Sequence, residues 1–298
     1  MALAAVGLVA VGAAAGAVAT HWLGGAGPKR QQPKPDADGD AAAANGTAPA
    51  ADAGPPVRAP PPHPGWRPGD PQPPPYGPGV PFVTLDVSAL DKPSLYALVI
   101  SAVVPRPIAF VSSLSAAGGR NLSPYSYFNV MSHNPFVLAI GACRSPARGG
   151  GKKDTLLNIE ETGEFVVNLI SEWFVEAANH TCGEYPRGVD ELELSGLTPT
   201  PSTRVAPPRV AEAAVAFECR LRAVHELTDA EGKSTSAIIL GDVLTVHIAE
   251  PAASRSPSGK VVVDAAALRP VSRLGGITYG RLGALYDIPR PDGTGRYP

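Results

Sequence analysis

The sequence predicts a mainly β fold with short helices, a barrel or sandwich confined to residues 81–290. Three observations predict it. Apolar runs rich in β-branched and aromatic residues recur along that stretch, glycine and proline clusters separate them, and only short windows carry helical signals. The prolines are unevenly placed, many of them between Pro28 and Pro81, where large apolar residues are few. A segment of that kind cannot bury enough apolar surface to offset its ordering entropy, so residues 25–80 read as a disordered, partly extended linker. The remainder is long enough for one core.

The elements follow in order. Pro81 to Ser88 alternates and reads as an entry strand. Asp91, Lys92 and Pro93 form a start signal for a short helix over Ser94 to Val103. Ile108 to Leu114 is a strand of buried character, and the paired glycines of Ala116 to Arg120 suit a hairpin turn that needs positive φ. A strand region over Tyr125 to Met131 and another over Phe136 to Gly141 follow. Leu156, Leu157 and Ile159 give Asp154 to Glu161 an apolar helical side, with Asp154 or Thr155 as cap and Gly163 as stop. Glu164 to Ile170 is a strand and Ser171 to His180 a helix. Ala214 to Leu227 and Ser234 to His247 read as long antiparallel strands joined at Asp229-Ala-Glu-Gly232. Residues 291–298 are a tail.

Ala2 to Thr20 carry no charge and have the length of a membrane-spanning helix, so residues 1–24 read as an anchor. The first charges, Lys29 and Arg30, follow the span, which puts the C-terminal part on the cytoplasmic side. A cleaved targeting segment and a misassigned start codon are the alternatives; with them the protein is soluble in the cytoplasm or an organelle. A formal net charge of -2 argues against a nucleic-acid partner. Cys143, Cys182 and Cys219 are odd in number and form no CxxC, so neither a disulfide framework nor a cysteine zinc site has support; each reads as a small buried hydrophobe. There is no HExxH, no GxSxG and no GxGxxG after a strand, and no metal site is expected.

Two segments carry chemistry. The first is Pro105-Arg-Pro-Ile-Ala-Phe-Val-Ser-Ser113, then Asn121-Leu-Ser-Pro-Tyr-Ser-Tyr-Phe-Asn-Val-Met-Ser-His-Asn-Pro-Phe136. The second is Lys152-Lys-Asp-Thr-Leu-Leu-Asn-Ile159, then Gly163-Glu-Phe-Val-Val-Asn168. With Glu184-Tyr-Pro-Arg-Gly-Val-Asp-Glu191 and Arg273-Leu-Gly-Gly-Ile-Thr-Tyr279, these resemble the flavin reductase-like family, whose domain is an FMN-binding split β-barrel. The resemblance covers about Leu85 to Tyr286. It implies FMN, with NADH or NADPH as electron donor, and a homodimer.

Residue chemistry runs alongside that resemblance. A phosphate wants cations and N–H donors, and Arg144, Arg148, Lys152 and Lys153 cluster near a glycine-rich turn just before a helix that opens at Asp154 and Thr155. Arg106 is a further cation. The bland alternative is a solvated lysine loop with Thr155 as a mere cap. The resemblance implies that Asn121, Ser123, Ser126, Phe128, Asn129 and Ser132 line the flavin. Tyr125 and Tyr127 read as core, Asn158 and Asn168 as exposed amides, and His180 as either a flavin neighbour or a surface residue. No catalytic side chain is singled out, since hydride transfer to a flavin requires none. A non-catalytic flavin carrier or redox-sensing module would use the same motifs. The proline runs Pro60-Pro-Pro-His-Pro64 and Pro73-Pro-Pro75 also permit an interaction protein that docks SH3-like partners.

Overall fold

A computed structural model describes residues 56–149 and 151–293. The span expected at residues 2–20, half of the linker and most of the tail lie outside them. Among the described residues no helix is long and apolar enough to cross a membrane. Chain order is α1 (Lys92–Ala102), β1 (Ala109–Leu114), β2 (Arg120–Tyr125), β3 (Phe128–His133), β4 (Phe136–Cys143), α2 (Asp154–Thr162), β5 (Glu164–Leu169), α3 (Val175–His180), α4 (Glu191–Ser195), β6 (Pro199–Thr200), β7 (Arg209–Val210), β8 (Val215–Thr228), β9 (Ser234–Ile248), β10 (Ala253–Arg255), β11 (Val261–Val263), α5 (Ala265–Leu268), β12 (Val271–Arg273) and β13 (Tyr279–Arg281).

Seven strands form one antiparallel sheet in the order β2-β1-β5-β8-β9-β4-β3. Its two end strands, β2 and β3, are separated in sequence only by Ser126 and Tyr127. The sheet therefore has to curl until its ends adjoin, and Gly141 N–H donates to the Tyr127 carbonyl at 2.7 Å across that corner. Curling of this kind gives the sheet an inside and an outside core but leaves β2 and β3 as its two end strands. Val111, Leu138, Ile140, Phe165, Val167 and Ile239 pack inside with Leu156 and Ile159 of α2. Phe110, Leu122, Ile170, Phe174 and Leu192 form a second cluster under α3 and α4. Strands β1 and β5 are thus buried on both faces, which is why they read as continuous apolar runs rather than alternating ones. Gly241 on β9 admits the Phe165 ring: a Cβ there would lie 2.4 Å from Cζ.

Several expectations need correction. Residues 81–86 form no strand, and Val87–Ala89 is a 3-10 turn that Asp86 caps through Ser88 N–H at 2.9 Å. Val83, Leu85 and Val87 alternate correctly but stay exposed, because no neighbouring strand pairs with them. The strand read over Tyr125 to Met131 breaks at Ser126 and Tyr127, since β2 pairs with β1 and β3 with β4, at opposite ends of the sheet. Lys153, not Asp154 or Thr155, is the N-cap of α2. Asn158 and Asn168 are buried: Asn168 Nδ2 donates to the Phe110 carbonyl at 3.0 Å, its Oδ1 accepts from Val210 N–H at 2.9 Å, and Asn158 Nδ2 donates to Ser113 Oγ at 3.2 Å. Both amides stitch neighbouring elements together. Only Cys219 is buried; Cys143 and Cys182 are exposed. Part of the linker is tied down, because Ala59 N–H donates to the Leu285 carbonyl at 2.8 Å and Leu285 N–H to the Val57 carbonyl at 2.9 Å.

Candidate functional site

The cleft of interest starts at the N-terminus of α2. Lys153 leaves the preceding loop in extended geometry and makes no side-chain cap, while Gly163 in the left-handed region stops the helix. The first-turn N–H groups of a helix have no intrahelical acceptor, so α2 presents donors and a positive dipole end to whatever lies before it. Leu156 and Ile159 pin the helix against the inner core, which fixes where that end points. Asn121, Ser123 and Tyr125 of β2, Ser145, and the loop from Thr181 to Tyr185 complete a shallow open cleft.

Charges around this cleft are mostly spent on one another. Asp154 binds Arg148 through both carboxylate oxygens, at 2.5 and 2.6 Å, and Arg187 reaches the same carboxylate at 3.3 Å. Arg187 also meets Glu161. Lys152 is held by Glu160 at 2.6 and 2.7 Å, and Arg144 pairs with Glu226. Lys153 lines the cleft and is in no ion pair with a carboxylate among the described residues. Thr155, 2% exposed, donates from its hydroxyl to Asn121 Oδ1 at 2.7 Å. Asn121 Nδ2 donates in turn to Glu191 Oε1 at 2.9 Å, and Leu122 N–H to Glu191 Oε2 at 3.0 Å. Burial pushes the Glu191 carboxyl above its ordinary value.

The Tyr125 ring belongs to the inner core, as read, but its hydroxyl is buried with no hydrogen-bond partner. Burial, above all, pushes that phenol up to about 12. Tyr125 and Lys153 also line an adjoining open cavity with Tyr96, Ile100, Tyr127 and Cys143. The polar cleft and the aromatic cavity therefore share a wall made of one orphaned phenol and one unpaired ammonium. Cys143 is no poised nucleophile: although the residue is exposed, partial desolvation raises its thiol, and Lys153 offsets this only in part.

Of the residues expected at the site, Asn121, Ser123, Lys153, Asp154 and Thr155 meet at the polar cleft, and Ser126 lines the aromatic cavity. Asp154 faces its arginines there, so its role is to hold them. Arg106 lines neither cavity itself but stands behind the aromatic one: its Nε donates to Ser126 Oγ at 3.3 Å, and its guanidinium donates to the carbonyls of Ile100, Val103 and Leu274, at 2.5, 2.8 and 2.9 Å, closing the end of α1. Lys152 sits in its ion pairs outside the cleft. On β3, Phe128 packs on the inner core, Asn129 is exposed and accepts from Val130 N–H at 2.8 Å, and Ser132 accepts from Asn134 N–H at 3.2 Å; none of the three lines either cavity. His180 stands near the rim with Tyr185 Oη at 3.3 Å. Sequence reading missed Tyr125, Glu191 and the loop from Thr181 to Tyr185 as cleft residues.

The donor set fits a phosphate-bearing ligand with an aromatic ring, since free helix N–H groups and one ammonium stand beside an aromatic slot. Comparison with known proteins gives the family. Residues 101–263 match the model of the flavin reductase-like domain. An uncharacterized protein of Halalkalibacterium halodurans is 37% identical over 207 residues, 70% of this chain and 96% of its own length. Nitrilotriacetate monooxygenase component B from Bacillus cereus is 33% identical, with a TM-score of 0.65 over 70% of this chain and all of that one. A flavin reductase-type protein of Shewanella frigidimarina with a split barrel domain, 22% identical, gives 0.58 over 68% of this chain and 95% of its own, which supports the fold alone.

Proposed function

The chain belongs to the flavin reductase-like family, and from that premise we propose that it holds FMN in the α2 cleft and passes electrons from NADH or NADPH to a downstream acceptor. The observation that carries this reading is the uncapped α2 N-terminus beside Lys153, opening directly onto an aromatic cavity. A phosphate monoester near neutral pH carries between one and two negative charges, and helix N–H groups with one ammonium meet that demand. Tyr96, Ile100, Pro124 and Tyr127 offer the flat apolar walls an isoalloxazine ring needs. Bound FMN supplies the hydride-accepting chemistry. The chain's own part is to bind, orient and shield it, and no acid–base side chain is required.

Purified protein mixed with FMN is expected to quench flavin fluorescence at a saturable site and to oxidise NADH or NADPH at steady state. A site that saturates with no nicotinamide oxidation would leave the carrier or sensor reading; no saturable binding would end the FMN reading.

We also propose a homodimer. Tyr96, Leu98, Val99 and Val103 leave α1 apolar toward solvent, with Ile100 as its buried residue, and Val130 and Met131 are exposed on the end strand β3. Exposed apolar surface of that kind on a strand edge calls for a cover, and a second copy supplies one symmetrically. Light scattering is expected to give twice the 30.6 kDa of the chain. Val130→Lys with Met131→Glu is expected to shift it to the monomer mass; an unchanged dimer would place the interface elsewhere.

A further inference from the structure

Three side chains connect the floor of the cleft to a buried carboxylate. Thr155 Oγ1 lies 2.7 Å from Asn121 Oδ1, and Asn121 Nδ2 lies 2.9 Å from Glu191 Oε1. The second oxygen of Glu191 is taken by Leu122 N–H, at 3.0 Å. The two ends of an asparagine amide are alike in outline, so which end faces which neighbour has to follow from chemistry. An ionised carboxylate only accepts. One of its oxygens is engaged by a backbone N–H that cannot turn. Asn121 must then present its NH₂ to Glu191 and its oxygen to Thr155. That oxygen also only accepts, so the Thr155 proton is directed at it and away from the cleft.

We infer that Glu191 is a positioning residue: acting through Asn121, it holds Thr155 with its lone pairs toward the ligand, so that this part of the floor selects a ligand hydroxyl. The inference rests on the flavin reading of the cleft and adds a polarity to it. Positive donors for an ionised phosphate remain Lys153 and the α2 N–H groups. A ligand group that can donate a proton, such as an alcohol, satisfies the lone pairs of Thr155. In FMN that chemistry exists in two places, the ribityl hydroxyls and a singly protonated phosphate.

A glutamine in place of Glu191 reverses the relay. Its carbonyl stays on Leu122 N–H, its NH₂ faces Asn121, the Asn121 amide turns over, and Thr155 accepts from it with its own proton freed into the cleft. The shape of the site is unchanged; only the direction of each bond is. The test is titration of Glu191→Gln with FMN and with riboflavin by fluorescence quenching, in the native background and in Thr155→Val, with Thr155→Ser as the variant that restores the hydroxyl. Thermal melting checks that each variant folds. Glu191→Gln is expected to weaken flavin binding about tenfold in the native and Thr155→Ser backgrounds and less than about twofold in Thr155→Val. Equal loss for FMN and riboflavin assigns the ribityl hydroxyls; loss for FMN alone assigns the phosphate. An equal loss in the Thr155→Val background, no loss in any, or tighter FMN binding would overturn the inference. Absence of FMN binding by the native protein would instead strike the flavin reading itself.

Discussion

Replacing Lys153 and Thr155 together by alanine is expected to weaken FMN binding about a hundredfold. The size follows from the charge balance around α2. Arg148 and Arg187 are neutralised by Asp154 and Glu161 together, and Lys152 by Glu160, so none of these neighbouring cations stands idle when the Lys153 ammonium is removed. A charge-assisted hydrogen bond contributes about 2 kcal/mol and a neutral one about 1 kcal/mol, and about 3 kcal/mol is two decades in affinity. The Lys153 change leaves the helix end intact, because its side chain caps nothing there, whereas Thr155→Ala removes a buried hydrogen bond to Asn121, so thermal melting of the double variant accompanies the titration. Lys152→Ala is the control and is expected to change affinity less than about threefold, its charge being committed outside the cleft. Flavin fluorescence titration reads all three. Full affinity in the double variant would mean that the phosphate is held elsewhere and that α2 is a structural helix only.

Much of this cleft was legible in the sequence because its parts are local. Lys153, Asp154 and Thr155 are consecutive, and a glycine nine residues past Asp154 announces the end of the helix. The central strands were legible for the same reason, since burial on both faces leaves a continuous apolar run. What stayed hidden is long-range. Glu191 meets Asn121 across 70 residues, and nothing in either neighbourhood marks the pair. Alternation continues through Ser126 and Tyr127, so the corner that sends β2 and β3 to opposite ends of the sheet leaves no local trace. Pro81 to Ser88 shows the converse: a good strand pattern stays irregular when no neighbour offers a ladder. Tyr125 was half legible. Its ring is core, as the pattern says, but only the packing reveals where its hydroxyl is stranded.

Glu218→Gln is expected to lower the unfolding free energy by about 3 kcal/mol at pH 7. Glu218 lies on β8 with no solvent exposure, and its carboxylate gathers a loop. One oxygen accepts from Thr203 N–H at 2.7 Å, from the Thr203 hydroxyl at 2.9 Å and from His247 Nε2 at 2.5 Å; the other accepts from Arg204 N–H at 2.5 Å. Burial alone drives this carboxyl up, but the Thr203 N–H, His247, the Arg204 N–H and the Thr203 hydroxyl together bring it down to about 2. The folded value is thus below the unfolded one, near 4.5. The stabilisation is then fully present above about pH 4.5 and is lost as pH falls from there through about 2; a shift of that size amounts to about 3 kcal/mol. Glutamine keeps the shape but turns an NH₂ against the N–H donors that the carboxylate gathers and gives up the charge-assisted bonds, a loss of similar size. Urea unfolding at a series of pH values gives the difference curve: the gap between native and Glu218→Gln protein is expected to be widest at pH 7 and to close toward pH 2. A gap below about 0.5 kcal/mol at pH 7 would show that the loop is held by other contacts. FMN affinity at pH 7 is expected to stay unchanged in the same variant, because Glu218 lines neither cavity of the cleft and reaches it only through the strands between.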